Sequence, residues 1–479
     1  MKNNVLLKIC LVAVVASCWV SCSKEPLDKS LPESGRINQF IVDGVQTYYL
    51  WEAETNWKDY EKSSTFANED HYKLFDRLLY KDDYWSALTE DGQGLENQFA
   101  GVSTTFGYTL KFNYHPFTNN NEVVAIVLYT SFGSPAAQTG LKRGDVIIEL
   151  NGNKLTTNNY RELYLASSIR VRCGQVDEAS RTISTLPEEF FLTAINMYEN
   201  PINTCKIIEK EGHKIGYLCY TGYQRDSENE LYQLFSDFKS AGVSDVVLDL
   251  RYNTGGYSRT AQILSSILAP EAVVKNKRIY LEHHYNKQYA EYLMKNDYLL
   301  YDTFVDTLPV NMNLSRLYVL TGKNTASASE ATMVGLAPYL QVIQIGDTTA
   351  GKYCGGIILM PEDIYGSRNK SYYELFSNWG MYIMIYRYAN INGITSFTAG
   401  LVPDMLAIEN PFALKPFGDE DDPLLGRALA RIMGTPYVES RAANISVPLI
   451  TLSITKNPVD GMLIDAPPFL LENSLLNLR

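Results

Sequence analysis

Hydrophobic and polar positions divide residues 317–352 into a strand, a helix and a second strand. The apolar run at 317–320 suits a buried strand, and from residue 330 apolar residues recur at helical spacing. A second apolar run at 342–345 leads into a loop that ends at Lys352. The pattern places the small-residue segment T-A-S-A-S at a strand-to-helix corner. Such a corner exposes a side-chain oxygen beside the free backbone N–H groups of the helix.

Ser327 and Lys352 are the candidate chemical pair at this corner. A serine hydroxyl is a poor nucleophile at neutral pH and needs a base. A lysine can be that base if burial disfavours its charged form and lowers its pKa. The alternative is structural: Ser327 would cap the helix and Lys352 would be a solvated loop cation. Ser329 is a second candidate nucleophile in the same segment.

The segment T-A-S-A-S-E at 325–330, followed by Gly351 and Lys352, resembles the active-site region of the C-terminal processing (tail-specific) serine peptidases. Three further stretches occur in that family's order. They are a PDZ-like G-S-P-A-A and G-L-K-R-G-D within 133–145, V-V-L-D-L-R-Y-N-T-G-G at 246–256, and G-L-V-P-D at 400–404. The resemblance covers roughly residues 100–430.

By position, the resemblance implies that Ser327 is the nucleophile and Lys352 the general base, and the spacing to Lys352 disfavours Ser329. That family commonly carries a glutamine or a similar polar residue four positions after the lysine. Here that position is Gly356, so the resemblance assigns a Ser/Lys dyad and leaves the third member open.

An oxyanion hole is expected where the strand at 246–250 ends. Gly255 and Gly256 follow that end, which is where α/β sheets place their ligands, and glycines let the backbone approach a substrate closely. Their N–H groups and that of Ala328 are the expected donors. The same stretch also suits a tight turn into a helix at 259–268, and the two interpretations are compatible.

A chain of 479 residues is long enough for two or three domains. We predict a multidomain α/β protein with three parts: a small helical N-terminal domain that packs on the next module along the chain, a PDZ-like β domain and an α/β core. The resemblance implies that this core is of the C-terminal processing peptidase, crotonase-like, type. The expected boundaries are a signal peptide at 1–21, a tether at 22–36, the helical domain at 37–95, the PDZ-like domain at 96–175, the peptidase core at 176–435 and an extension at 436–479.

The first residues have the form of a bacterial lipoprotein signal. Lysines at the charged end precede an apolar run at 9–20 that is too short to span a membrane. Cys22 follows a small residue and is the expected lipidation site, with Cys18 as the alternative and a simple cleaved secretory peptide as another. We therefore expect export and a lipid anchor in the bacterial cell envelope, on the periplasmic or the outer surface.

PDZ domains bind peptides by strand addition and hold the C-terminal carboxylate in backbone N–H groups. In this chain the corresponding loop falls at Phe106, Gly107 and Tyr108, which match only in part the glycine-flanked apolar loop of peptide-binding PDZ domains. A purely structural or gating domain is the alternative.

Composition limits the other possibilities. The 42 basic and 54 acidic residues give a net charge of −12, which argues against nucleic acid or anionic lipid as the main partner. The histidines form no metal-ligand spacing, so we predict no metal and no cofactor, and His283-His284 suits a surface feature. Four cysteines could pair in an exported protein, although their spacing does not require it. Cys354 is near the site but lacks a neighbouring histidine. The four are Cys173, Cys205, Cys219 and Cys354.

The sequence therefore predicts an exported serine endopeptidase that acts on proteins or peptides, with the PDZ-like domain engaging substrate C-termini or gating the site. The alternative is a non-catalytic peptide-binding envelope lipoprotein that keeps the fold. A glycan-binding surface built from the 34 tyrosines is a third possibility that rests on composition alone. The oligomeric state is left open.

Overall fold

A computed structural model describes residues 27–60, 65–118, 121–225, 227–437 and 463–464. Every helix in these residues is too short or too polar to cross a bilayer. The predicted signal peptide, with Cys18 and Cys22, lies outside the described residues, as does nearly all of the extension predicted at 436–479.

The described helices and strands alternate along most of the chain. The helices are α1 (Glu33–Tyr48), α2 (His71–Leu78), α3 (Gly92–Phe99), α4 (Pro135–Thr139), α5 (Glu162–Leu165), α6 (Glu228–Ser240), α7 (Ser258–Leu268), α8 (Glu271–Lys275), α9 (Lys287–Lys295), α10 (Ala328–Leu336), α11 (Pro361–Tyr365), α12 (Lys370–Tyr373) and α13 (Pro423–Met433). The strands are β1 (Ala87–Thr89), β2 (Val102–Thr105), β3 (Tyr108–Tyr114), β4 (Val123–Thr130), β5 (Val146–Leu150), β6 (Asn153–Lys154), β7 (Ser168–Asp177), β8 (Thr182–Thr193), β9 (Ile195–Tyr198), β10 (Ile202–Lys210), β11 (His213–Tyr220), β12 (Asp245–Asp249), β13 (Gly256–Tyr257), β14 (Ile279–Tyr285), β15 (Tyr301–Thr303), β16 (Arg316–Thr321), β17 (Gln341–Gly346), β18 (Cys354–Leu359), β19 (Gly380–Ala389), β20 (Met405–Leu406) and β21 (Leu463–Ile464).

The N-terminal helices pack on the C-terminal α/β unit and share its hydrophobic core. Apolar residues spaced by three or four positions form the buried face of α1. The short strand β1 pairs antiparallel with β19, where Leu88 lies opposite Met381. The expectation that the 37–95 domain packs on the next module along the chain is therefore wrong: it packs on the distant C-terminal unit, because β1 completes a sheet there.

A mostly antiparallel unit follows, with sheet order β3-β4-β5-β7-β8 and β6 on β5. Ser134 caps α4 by accepting from the N–H of Ala137, and positive φ angles at Asn151 and Gly152 close the β5–β6 hairpin. The unit runs to β9, since β8 pairs along β7 and β9 pairs with β2. The boundary expected at residue 175 thus falls inside a hairpin of this sheet.

The central sheet of the C-terminal unit has the order β10-β11-β12-β16-β17-β20, and it is parallel from β11 onward. The strands β11, β12 and β16 are buried on both faces and rich in apolar residues, whereas the edge strand β10 is largely exposed. Helices α6, α7 and α10 lie over one face, and α13 packs on the other. The predicted alternation of strands and helices in this part of the chain is confirmed.

A second sheet lies beside it, with the order β13-β21-β18-β19-β14-β15 and β1 attached to β19. The stretch at 271–316, which has no matching motif, supplies β14 and β15 to this sheet. Tyrosines fill much of the shared core: Tyr280, Tyr382, Tyr386 and Tyr388 are almost fully buried. This burial favours core packing over a glycan-stacking surface as the reason for the high tyrosine content.

Candidate functional site

Three neighbouring strands of the parallel sheet deliver the candidate residues to one edge. β12, β16 and β17 are adjacent and parallel, so their carboxyl ends meet. The loop after β12 carries Gly255, the corner after β16 carries Ser327, and the loop after β17 carries Lys352. The arrangement predicted from the apolar runs is therefore present.

Ser327 lies at the corner itself, directly before α10. Its backbone has φ 63° and ψ −113°, which is a strained conformation for a residue other than glycine. The residue is fully buried, and its Oγ has no hydrogen-bond partner among the described residues. A helix-capping role would require that oxygen to accept from the first turn. The geometry therefore favours a poised hydroxyl over a structural cap.

Ser329, the competing serine, is committed elsewhere. Its Oγ donates to the carbonyl of Asn253 at 3.1 Å, and the residue is buried inside α10. This bond ties the helix to the glycine loop. Ser329 therefore serves to hold the loop and is not free to react.

Glu330 joins the serine corner to the lysine loop. Its Oε2 accepts from the N–H groups of Ser327, at 2.8 Å, and Lys352, at 2.9 Å. Its Oε1 accepts from the Thr349 hydroxyl at 2.6 Å and the Gly351 N–H at 2.7 Å. Burial raises the pKa of this carboxyl to about 7, although the four donors oppose the shift.

Tyr388 joins the same two segments from the opposite sheet. Its hydroxyl lies 2.7 Å from the carbonyl oxygen of Lys352 and 3.3 Å from that of Ser327. Burial holds the pKa of the phenol far above its usual value, so the hydroxyl keeps the proton that it donates. Ser327 and Lys352 are thus held to each other through both their N–H and their C=O groups.

Lys352 is buried, with 1 % of its surface exposed, and so is not a solvated loop cation. Its Nζ lies 3.3 Å from the hydroxyl of Tyr382 and 5.3 Å from the centroid of the same ring. The ring of Trp85, from the N-terminal segment, lies 5.9 Å from Nζ. Aromatic side chains from two parts of the chain therefore surround the amine.

The glycine loop approaches Ser327 closely. A Cβ on Gly255 would lie 2.8 Å from Ser327 Cβ and 3.1 Å from the nitrogen of Ala328. Only glycine leaves this space open, and its φ of 112° is itself rare for other residues. Ala328 is the first residue of α10, so its N–H has no partner within the helix.

The loop does not present all three predicted oxyanion donors equally. The N–H of Gly255 donates to Asn253 Oδ1 at 2.9 Å, so it is engaged within the loop. Gly256 packs against the backbone of Tyr223 and begins β13. Of the three predicted donors, Ala328 directly follows the serine and its N–H has no partner within the helix, whereas the N–H of Gly255 is engaged.

A buried ionic network connects the strand before the glycine loop to the antiparallel unit. Arg251 pairs with Asp249 and Asp422 at 2.8 Å each, and with Glu409 at 2.8 Å. Glu409 also pairs with Arg143, which belongs to the G-L-K-R-G-D stretch. Burial alone would raise the pKa of Glu409, but the charges of Arg251 and Arg143 have the larger combined effect. The pKa of Glu409 is therefore lowered to about 2.

The predicted carboxylate loop of the antiparallel unit is tightly packed. The side chains of Phe106 and Tyr108 belong to the unit's hydrophobic core, and the N–H of Gly107 donates to Thr105 Oγ1 at 2.8 Å. A Cβ on Gly107 would lie 2.1 Å from that of Ser134. Ligand contacts by these three residues would therefore have to come from their main chain.

Tyr164 of α5 contacts the edge of β3 that a peptide would join. Its hydroxyl accepts from the N–H of Leu110 at 2.8 Å. A strand added at that position would need this N–H for its own ladder. The edge is therefore partly occupied by the unit's own side chain.

The remaining candidates have structural surroundings. Cys173, Cys205, Cys219 and Cys354 are free thiols, and burial raises the pKa of Cys354. A buried thiol with a raised pKa is a poor nucleophile. The prediction that His283-His284 is a surface feature is wrong for His283, which is buried, stacks on Tyr386 at 4.3 Å between ring centroids and lies 3.3 Å from Asp302. His284, on the other face of β14, is exposed.

Comparison with known proteins shows what the chain is similar to. Residues 214–407 match the model of peptidase family S41, and the matched stretch includes all three candidate loops. The chain also shares the fold of a solved structure, an S41 protease of Bacteroides fragilis. That likeness has a TM-score of 0.67 at 24 % identity and covers 82 % of this chain and 97 % of that one.

Two curated bacterial relatives match the chain in sequence. The carboxy-terminal processing protease CtpB of Bacillus subtilis is 25 % identical over 228 residues, which is 46 % of this chain and 42 % of that protein. A CtpA-like serine protease of Staphylococcus aureus is 23 % identical over 316 residues, or 62 % and 57 % of the two chains. The chain thus spans about half the length of the curated relatives that it matches.

Sequence reasoning missed several residues that build this site. Glu330 follows Ser327 by three positions, the spacing of a capping box, and this signal could have identified it. Trp85, Tyr382 and Tyr388 reach the site only through the packing of distant segments. No local pattern marks them.

Proposed function

We propose that this protein is a serine endopeptidase in which Ser327 attacks a peptide carbonyl and Lys352 acts as the general base. The observation that carries the proposal is the buried Ser327 Oγ, which has no hydrogen-bond partner in the described residues and lies at the start of α10. The match of residues 214–407 to the peptidase family S41 model supports peptide hydrolysis as the reaction.

The chemical steps follow from this arrangement. Neutral Lys352 takes the proton of the Ser327 hydroxyl as Oγ forms a bond with the substrate carbonyl carbon. The N–H of Ala328 stabilises the oxyanion, in the space that Gly255 leaves open. The resulting ammonium of Lys352 gives its proton to the leaving amine as the C–N bond breaks. In the second half of the reaction Lys352 takes a proton from the water that attacks the acyl carbon, and it returns a proton to Ser327 Oγ as the acyl–oxygen bond breaks.

An extended peptide is the substrate form that the site suits. β21 pairs in parallel with β13 through Gly256 and Tyr257, and it also pairs with β18 at Gly356. A short extended segment of the chain's own backbone thus lies beside the glycine loop. A substrate strand would make the same main-chain hydrogen bonds in its place, as in other cases of strand addition.

Full burial of Ser327 and Lys352 implies that the described conformation is closed to substrate. We propose that the antiparallel unit is a PDZ domain that gates the site or engages a substrate C-terminus. The buried pair of Arg143 and Glu409 links this unit to Arg251 beside the glycine loop and supports such coupling. The contact between Tyr164 and Leu110 favours gating over constitutive peptide capture.

The proposal also places the protein in the bacterial cell envelope, exported and lipid-anchored through Cys22. The signal-like pattern of residues 1–22 is the support for this part. The competing proposal is a non-catalytic peptide-binding lipoprotein, because a closed site is equally compatible with a protein that does not cleave peptides.

Peptide hydrolysis by matched serine variants distinguishes enzyme from binding protein. Cleavage of an unstructured protein such as β-casein should be lost in Ser327→Ala and retained in Ser329→Ala, with both variants folded. Undiminished cleavage by Ser327→Ala would disprove the assignment of the nucleophile.

A further inference from the structure

Lys352 needs an orienting partner if it is to act as a base. A neutral amine has one lone pair, and this lone pair must point at the proton it accepts while the N–H groups point elsewhere. Glu330 bonds the backbone of Lys352 and not its side chain in the contacts described above. A group on another element that has a polar atom near Nζ can direct the amine.

The hydroxyl of Tyr382 is in the position to do so. It lies 3.3 Å from Nζ, and the tyrosine is fully buried in β19. Phe99 packs on the ring at 5.7 Å between centroids. The Tyr382 ring thus packs against the N-terminal segment. Its burial restricts the side chain to few rotamers.

Gly356 makes room for this phenol. It lies four residues after Lys352 in β18, where the strand pairing with β19 is irregular. A Cβ at this position would lie 2.4 Å from the carbonyl oxygen of Ile383, 2.8 Å from Cε of Met384 and 2.9 Å from Cζ of Tyr382, the carbon that bears the hydroxyl. A side chain at 356 would therefore crowd the backbone of β19 as well as the Tyr382 ring beside the amine.

We propose that Tyr382 is the positioning residue of Lys352 and that Gly356 permits this role. The inference rests on the proposed Ser/Lys mechanism. An N–H of Nζ donates to the Tyr382 oxygen, which leaves the lone pair for the hydroxyl proton of Ser327. Tyr382 neither gains nor loses a proton. Ser327 gives its proton to Nζ as the bond to the carbonyl carbon forms, and Nζ passes it to the leaving amine.

The titratable groups around Lys352 have separate duties in this arrangement. Glu330 of α10 holds its N–H, Tyr388 of β19 holds its carbonyl, and Cys354 of β18 is a buried thiol. Tyr382 is the group among these whose polar atom lies within hydrogen-bonding reach of Nζ in the described contacts. Removing the Tyr382 hydroxyl should therefore change the orientation of the Lys352 amine and leave the backbone of the lysine loop in place.

The test compares Tyr382→Phe with Tyr372→Phe as a matched control. Both tyrosines are buried, but the hydroxyl of Tyr372 has no hydrogen-bond partner in the part of the chain described here. Peptide hydrolysis is measured against pH from 6 to 10, with melting curves to verify folding. A hydrogen bond accepted from an ammonium favours its charged form, so losing it lowers the pKa of the amine.

Tyr382→Phe should lower kcat roughly 10- to 100-fold, leave KM within about twofold, and move the ascending limb of the pH profile to lower pH. Tyr372→Phe should match the wild type. Gly356→Ala, which crowds the Tyr382 ring together with the backbone of Ile383, should change kcat and the profile in the same direction. Its melting curve shows whether this variant remains folded, and a folded Gly356→Ala with an unchanged profile would also count against the proposal.

Two outcomes would overturn the inference, and they are distinguishable. An active wild type with an unchanged rate and pH profile in the folded Tyr382→Phe variant would reject Tyr382 alone. A wild type that neither cleaves peptides nor reacts with a fluorophosphonate, while folded, would reject the Ser/Lys mechanism and this inference with it.

Discussion

Glu330 ties the backbone of Lys352 to that of Ser327, because its Oε2 accepts from the N–H of Lys352 at 2.9 Å and from that of Ser327 at 2.8 Å. Two loops that follow different strands thereby share one acceptor. Together with Tyr388, this carboxylate fixes the distance between Ser327 and Lys352 by hydrogen bonds to their backbones. The dyad does not depend on direct side-chain contact to stay assembled.

The first prediction concerns the ionisation of Glu330. Ionised Glu330 can accept hydrogen bonds from all four of its donors. When Glu330 is protonated, its own O–H hydrogen is directed at one of these donors, and that hydrogen bond is weakened or lost. Because burial raises the pKa of Glu330 to about 7, activity should rise as the pH passes through that value. In Glu330→Gln the kcat/KM profile should lack this step and the maximum should fall. Glu199→Gln, which removes a partly buried carboxylate whose pKa burial also raises, should keep the step.

The same shift has a consequence for stability. A carboxyl whose pKa rises from 4.5 to about 7 on folding binds its proton more tightly in the native state. Its favourable contribution is complete below pH 4.5 and is lost as the pH rises through 7. The stability difference between the wild type and Glu330→Gln should therefore shrink from pH 5 to pH 8.5 in urea denaturation. A difference that grows over this range would contradict the assignment.

The second prediction tests the space beside Ser327. Gly255→Ala places a methyl group 2.8 Å from Ser327 Cβ, where a substrate carbonyl must enter. We expect kcat to fall roughly 10²- to 10³-fold, the size seen when oxyanion stabilisation is lost. Gly212→Ala is the control for strain, since Gly212 has φ 83° and no atom within 4 Å of the added carbon. Equal activity of the two variants would show that the space is not used.

The third prediction concerns β21. Because β21 pairs with β13 and β18 beside the glycine loop, it should compete with an extended substrate. Ile464→Pro removes an N–H from this short strand and should weaken the pairing. Peptide cleavage should then be faster than in the wild type, and a synthetic peptide of residues 458–470 should slow it again. Unchanged rates in both assays would remove β21 from the account of substrate binding.

The fourth prediction addresses the antiparallel unit. Tyr164→Phe frees the N–H of Leu110 for an added strand. A net hydrogen bond contributes about 0.5–1.5 kcal/mol, so peptide affinity should increase roughly 2- to 10-fold. Fluorescence anisotropy of a labelled peptide with a free C-terminus measures this change, and the same peptide with an amidated terminus is the control. Absence of binding to either protein would favour a purely structural unit.

The sequence predicts the site's strands and helix well because those elements carry their own signals. The apolar runs of β12, β16 and β17 are buried on both faces, and α6 places Leu231, Leu234, Phe235 and Phe238 on one buried face as expected. The loops that follow parallel strands must gather at one edge. Adjacency of the glycine loop, Ser327 and Lys352 therefore follows from local patterns and general topology.

Other features could not be predicted because they depend on packing between distant segments. Much of β8 is exposed, and its apolar residues do not alternate regularly with polar ones. The hydrophobic pattern therefore does not predict that β8 joins the antiparallel sheet. β1 joins β19 across nearly three hundred residues, and the same contact brings Trp85 toward Lys352. The engagement of the Gly255 N–H by Asn253 likewise depends on the turn geometry alone.

Mapping the residue that carries a covalent adduct tests whether Ser327 is a nucleophile activated by Lys352. Full-length protein lacking only residues 1–22 is treated with a fluorophosphonate, digested and analysed by mass spectrometry, beside Ser329→Ala and Lys352→Ala. We predict an adduct on Ser327 in the wild type and in Ser329→Ala, with labelling that increases with pH and is lost in Lys352→Ala. An adduct on Ser329, or labelling of Ser327 that persists without Lys352, would contradict the account.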